Sequence, residues 1–157
     1  MLKRALLLSA ILFSGCTLLQ PPPAPIKTEP VNTPDAPAVI GPYSQAIKIG
    51  NMVYCSGQLA INPATGDLII GDIKDETRQV MKNLGAVLKA ANMDHGDIIK
   101  ATVFLTDMND YKLFNEAYSE FFAADDSTKP ARETVQVGRL PRDGRIEISC
   151  IAVKAEE

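Results

Sequence analysis

The sequence predicts an α+β fold, a mixed β-sheet with two helices on one face, and three observations predict it. After residue 38, short runs of alternating apolar and polar residues are separated by turn signals. Two longer runs carry apolar residues at helical spacing. The resulting order is strand, strand, helix, strand, helix, strand, strand. Two helices cover only one face of such a sheet. The other face must be buried by something else, and self-association is the natural means.

The first two strands, 43–49 and 51–58, flank Gly50-Asn51, a two-residue hairpin signal. A loop follows at 62–67, where Asn62, Pro63 and Gly66 interrupt any period. From residue 75 the period becomes helical. Val80, Leu84, Val87, Leu88 and Ala91 share one side opposite Arg78, Lys82 and Lys89, and acidic Asp75 and Glu76 sit in the first turn, which predicts a helix over 75–91. Residues 98–106 alternate again, with Ile99, Ala101, Val103 and Leu105 on one face and Lys100, Thr102, Phe104 and Thr106 on the other. A second helix over 111–123 can be capped by Asn109 or Asp110; its apolar side is Leu113, Phe114, Ala117, Tyr118, Phe121 and Phe122. Strands over 132–138 and 145–153 close the pattern around a turn at 140–144.

The amino-terminal third reads differently. Lys3 and Arg4 precede nine apolar or small residues, Ala5 to Phe13, and then Ser14-Gly15-Cys16, so 1–15 has the layout of a signal peptide, too short to span a bilayer. Small residues directly before Cys16 resemble the lipobox of bacterial lipoproteins, which implies lipidation at Cys16 and a periplasm-facing anchor in the cell envelope. Thr17 after the cysteine implies the outer membrane in a Gram-negative source. An uncleaved hydrophobic anchor is the alternative for the membrane, and a cytoplasmic location follows if the signal is not processed. Eight of the eleven prolines fall between Pro21 and Pro42, so 16–37 reads as a polyproline II linker of up to about 60 Å. The domain itself is expected over 38–157.

Composition excludes several functions. Net charge is −3, no Lys/Arg cluster follows Arg4 and there is no Trp, which argues against nucleic acid. Cys16, Cys55, Cys150 and the single His95 are too widely spaced for a four-ligand zinc site or a Cys-x-x-Cys pair. His95 lies in a helix-ending turn without a Gly-x-Ser-x-Gly elbow to serve, and reads as a surface histidine.

Polar residues on strands carry the remaining chemistry. Arg132 shares a strand face with Thr134 and Gln136; Glu147 shares one with Arg145 and Ser149, opposite Ile146, Ile148, Cys150 and Ala152. One reading makes Arg132 a fork for a carboxylate and Glu147 a proton acceptor for water. The other makes them a cross-strand ion pair on a solvated face.

At this point the motifs resemble a known family. Ile40-Gly-Pro-Tyr43-Ser-Gln45-Ala46, Ser56-Gly57-Gln58, Lys100-Ala-Thr-Val-Phe104, Phe114-Asn115-Glu-Ala-Tyr118, Pro130-Ala-Arg132, Arg139-Leu-Pro141 and Ile146-Glu147-Ile148 resemble the reactive-intermediate deaminases, the RidA or YjgF family, in order and spacing from residue 38 to 154. The resemblance implies a chorismate mutase-like domain forming a homotrimer with three clefts between subunits. It implies hydrolysis of short 2-imino acids, such as 2-iminobutanoate and 2-iminopropanoate, to 2-keto acids and ammonia, without metal or cofactor. Arg132 then grips the substrate carboxylate, Glu147 activates water, and Tyr43, Ser56, Gly57, Asn115 and Thr134 line the cleft. Thr134 stands where many active members carry cysteine, which leaves substrate preference open. A non-catalytic lipoprotein binding small carboxylates in the same cleft is the alternative. The family fold also sets the strands of Cys55 and Cys150 side by side, leaving open whether they are buried thiols or a disulfide.

Overall fold

The computed structural model describes residues 25, 27–122 and 129–155. The signal-peptide reading of 1–15 and the lipidated Cys16 therefore lie outside the described residues. Among those described, no helix is long and apolar enough to cross a membrane.

Six strands form one sheet: β1 (Thr28–Val31), β2 (Ala46–Ile49), β3 (Met52–Leu59), β4 (Ile98–Leu105), β5 (Ala131–Gln136) and β6 (Ile146–Val153). Their order is β1-β2-β3-β6-β4-β5, antiparallel except for the β4–β5 pair. Helices α1 (Ile73–Ala90) and α2 (Tyr111–Ser119) make the crossovers from β3 to β4 and from β4 to β5. The β2–β3 hairpin turns at Gly50, whose φ of 58° lies in the left-handed region that favours glycine.

The core lies between the helices and one sheet face. Val80, Met81, Leu84, Val87 and Leu88 of α1 and Phe114 of α2 pack, fully buried, on Val53, Val103, Leu105, Ile146, Ile148 and Ala152. Full burial stabilises side chains of this size by about 1.5–3 kcal/mol each. Among the described residues, neither α1 nor α2 lies on the opposite face. It carries a small cluster of Leu59, Ile61 and Leu140 packed with Phe104 and Val137, and leaves Tyr54 and Val135 more than two-fifths exposed.

Several details differ from the sequence reading. The expected proline-rich linker over 16–37 overlaps the fold. Thr28–Val31 pairs with β2, Val31 and Ala36 are buried, and Pro30 is accommodated because β1 is an edge strand that needs donors on one side only. Helix α1 starts at Ile73, two residues early, because Asp72 accepts a hydrogen bond from Asp75 N at 2.9 Å. Helix α2 ends at Ser119 and continues only as a turn to Phe122. A register shift between Ile98 and Lys100 turns Ile98, not Ile99, into the core. Cys55 and Cys150 are direct register partners, both buried and both free thiols, so no disulfide joins them.

Glu76, one of the two acidic residues of the first turn of α1, is 2% exposed. Arg145 explains it. The guanidinium leaves the face of Glu147, reaching Glu76 Oε1 at 3.4 Å, Asp110 Oδ2 at 2.7 Å and the Gly71 carbonyl at 3.1 Å. It thereby ties α1 to the turn before α2 and to the start of β6. Burial nevertheless holds the Glu76 carboxyl above its ordinary range.

Removing the guanidinium leaves that carboxylate without its counter-charge. We expect Arg145→Met to lower stability by about 3 kcal/mol at neutral pH. A carboxyl whose pKa is raised by folding binds its proton more tightly in the folded state, so the deficit should shrink as pH falls toward 5. Urea denaturation of both proteins at pH 5 and 7.5 checks this; a pH-independent deficit would refute it.

Candidate active site

The residues singled out in the sequence fall into two groups. Arg132 stands level with Ala101 of β4, on the helix-covered face. Residues 111, 114, 115 and 118 recur at helical spacing on α2, and all four meet its guanidinium. Nη2 donates to Asn115 Oδ1 at 2.6 Å and to the Tyr111 hydroxyl at 3.4 Å. The rings of Tyr118, Phe114 and Tyr111 lie 4.8, 5.0 and 5.9 Å from Cζ. Such cation–π contacts are worth about 0.5–2 kcal/mol apiece, more where water is excluded. The cation is thus oriented before any ligand arrives. A cavity of about 370 Å³ opens beside it, lined by Asn115, Tyr118, Ser119, Phe122, Lys129 and Arg132.

Hydroxyl groups surround this cation. Asn115 and Arg132 hold the Tyr111 phenol below its ordinary range, whereas burial pushes Tyr118 up to about 12. Thr134 lies two residues along β5 on the face of Arg132. Its Oγ1 and the Tyr118 hydroxyl are buried without a hydrogen-bond partner among the described residues, the state of groups that a ligand or a water would satisfy.

Glu147 belongs to the second group. It points away from the helices and stands level with Phe104 on one side and Leu59 on the other. A register shift between Cys55 and Gln58 brings Ser56 and Gly57 beside it. The approach is so close that a Cβ on Gly57 would overlap Glu147 Oε1 and lie 2.7 Å from Cδ, so only glycine fits without displacing the carboxyl group. Ser56 is fixed twice: its Oγ donates to the Ser44 carbonyl at 2.7 Å and its N to the Gln45 carbonyl at 2.9 Å. Tyr43, whose hydroxyl accepts from Ile40 N at 3.4 Å, is 48% exposed and shares a narrow cavity of about 40 Å³ with Gly57, Leu59 and Ile40. Burial raises the Glu147 carboxyl above its ordinary range, making it a stronger base once deprotonated.

One chain does not bring the two groups together. Strand β4 runs between β5 and β6, so the expected adjacency of the Arg132 and Glu147 strands is corrected. Ala101 and Phe104, their partners on β4, are an odd number of residues apart, so Arg132 and Glu147 face opposite sides of the sheet. The cross-strand ion pair is thereby excluded. Sequence reading also missed the aromatic cage, because Phe114 and Tyr118 were absorbed into the apolar side of α2; their spacing around Asn115 was the available signal. His95 is half-buried rather than a free surface group, with Nε2 2.9 Å from the Met81 carbonyl and its ring against Phe121.

Comparison with known proteins adds to this geometry. The family described as Endoribonuclease L-PSP matches residues 33–154. A RutC family protein of Pyrococcus horikoshii is 52% identical over 80% of this chain and 98% of its own length. The 2-iminobutanoate/2-iminopropanoate deaminase of Bos taurus is 45% identical over 79% of this chain and 88% of its own. The crystal structure of Escherichia coli TdcF with bound serine superposes with a TM-score of 0.76 at 45% identity, covering 81% of this chain and 99% of that one.

The contact at Gly57 is directly testable. In Gly57→Ala the new methyl meets the flexible end of Glu147 rather than backbone, so the fold should survive while the carboxyl group is driven toward solvent. Its pKa should then fall toward the ordinary carboxylate value of about 4.3. Carbon-13 NMR titration of Glu147 in wild type and variant reads this, and an unchanged titration would count against the close packing.

Proposed function

The chain belongs to the endoribonuclease L-PSP family, the one its motifs resemble under the names RidA and YjgF, and we propose that it hydrolyses short 2-imino acids to 2-keto acids and ammonia. The observation that carries this reading is the guanidinium of Arg132, held on one edge by Asn115 and caged by three rings, which suits a small carboxylate. Relatives named 2-iminobutanoate/2-iminopropanoate deaminase support those two imino acids as substrates, and serine bound to TdcF supports a ligand of that size and charge.

Few groups are needed for the reaction. The imine carbon of R–C(=NH₂⁺)–COO⁻ is already electrophilic. With the substrate carboxylate on Arg132, Glu147 takes a proton from water as the water oxygen bonds to C2 and the C=N pair moves to nitrogen. The proton on Glu147 then passes to that nitrogen, the freed carboxylate takes the hydroxyl proton as C=O forms and the C–N bond breaks, and ammonia leaves and carries that proton away as ammonium. Positioning and one base of raised pKa account for the acceleration.

For Arg132 and Glu147 to act on one substrate they must come from different copies, because in one chain they face opposite sides of the sheet. A homotrimer with a cleft between each pair of subunits meets that need. It would also bury the uncovered face carrying Tyr54, Phe104 and Val135. A nucleolytic role draws less support: the chain is acidic, and its one histidine is engaged with Met81 and Phe121. A carboxylate binder without catalysis would use the same cage; it would keep its affinity when Glu147 is replaced and release no ammonia.

The activity test generates the imine with an amino-acid oxidase and follows ammonia. Glu147→Gln should lower kcat by about 10²–10⁴-fold, and Arg132→Ala should raise KM at least tenfold, the equivalent of about 1.5–3 kcal/mol for a charge-assisted contact. The raised Glu147 pKa places the acid limb of the wild-type profile above the ordinary carboxylate range. Co-expressing the two impaired variants should restore activity, since some clefts would then receive Arg132 from one chain and Glu147 from another. Ammonia release no faster than in buffer would sink the reading, and failure of complementation would sink the shared cleft.

We also propose that the protein is tethered at the cell envelope through acylated Cys16. Because the chain joins the sheet at Thr28, a linker from Cys16 to that point would reach about 30–35 Å if fully extended at polyproline II rise. Cys16→Ser should release the protein from the membrane fraction, and its retention there would overturn the assignment.

A further inference from the structure

We propose that Gln45 is a positioning residue for the Glu147 side of the site. Its side chain is 4% exposed and directs its hydrogen bonds to the main chain of residues 33–37. Oε1 accepts from Thr33 N at 2.6 Å, and Nε2 donates to the carbonyls of Thr33 at 3.1 Å, Pro37 at 2.9 Å and Ala36 at 3.4 Å. Its own carbonyl accepts from Ser56 N. A single residue thus clamps the segment that enters the Tyr43 loop and the strand that carries Ser56 and Gly57.

The consequence follows from chain order. Residues 38–43 leave the clamped segment at Pro37 and return to the clamp at Gln45, and on the way Val39, Ile40 and Tyr43 wall the cavity that Gly57 shares. Within this loop Tyr43 N donates to the Gly41 carbonyl and Ile40 N to the Tyr43 hydroxyl, both contacts internal to the loop. Its position against Gly57 is therefore set by its two ends. Gly57 in turn is the residue against Glu147. Loosening the clamp lets the loop lift and water reach the carboxyl group, whereas the Arg132 cage, built on α2 and β5, is untouched.

Gln45→Glu is nearly isosteric, keeps the acceptor for Thr33 N and removes all three donations; Gln45→Met removes everything but the volume. The kinetic arm of the test rests on the deaminase reading. Both variants should lose at least tenfold in kcat with KM within twofold of wild type, and the acid limb of the pH profile should move to lower pH as Glu147 is wetted. A merely structural residue would lower the melting temperature and the active fraction without moving that limb. The second arm needs no activity: amide hydrogen exchange in the full chain should accelerate over residues 38–44 and remain unchanged over α2 and β5. Unchanged exchange over 38–44 would overturn the proposal even if activity falls. Absence of ammonia release from wild type would remove the deaminase reading and leave the exchange result to decide the role of Gln45.

Discussion

Two helices cannot cover both faces of a six-stranded sheet, and most of the molecule follows from that shortage. The covered face is filled by α1 and α2 with aliphatic side chains excluded from water. The uncovered face holds a mixture that suits neither water nor a core: Tyr54, Phe104 and Val135 beside Thr102, Glu133 and Glu147. Strand alternation distributes the chemistry between these environments. Arg132 goes under the helices, where rings and an amide orient it. Glu147 goes to the open side, where a glycine beside it and partial burial hold its pKa up.

The two environments do different electrostatic work. A guanidinium stays charged in any protein setting, so it can be surrounded by aromatic faces and fixed on one edge while the other remains available. A carboxyl group responds to its surroundings, and partial burial with no cation against it is enough to make it a better base. Placing both in one environment would have paired them and blunted each. Separation by the thickness of the sheet keeps the guanidinium and the carboxylate of one chain from pairing.

Much of this was legible from residue patterns, and the misses have physical causes. Period-two alternation assigned Ile146 to Cys150 and Ala152 of β6 to their correct sides, because a strand between two neighbours has nowhere else to turn. It failed at Ile98–Ile99, where a bulge inserts a residue, and at Arg145, which lies outside the strand and is drawn to Glu76 and Asp110. The proline count disguised β1, since an edge strand tolerates a proline that an interior strand would reject. Tyr43, Ser56, Gly57 and Asn115 are named only through motif resemblance; where each lies depends on long-range register, which composition does not encode. The aromatic cage was hidden because a ring against a cation and a ring in a core leave the same apolar stripe on a helix.

Pro30 in β1 has a consequence for how the protein behaves when crowded. The outermost strand of a sheet invites a neighbour to add another, and chains held at high local concentration on a surface meet that hazard most often. A residue without an N–H in a four-residue strand, flanked by Lys27 and Glu29, withholds the donor that an incoming strand would need. Growth from this end of the sheet is thereby disfavoured, which weighs against edge-on stacking, an association that does not close, and in favour of face-on association.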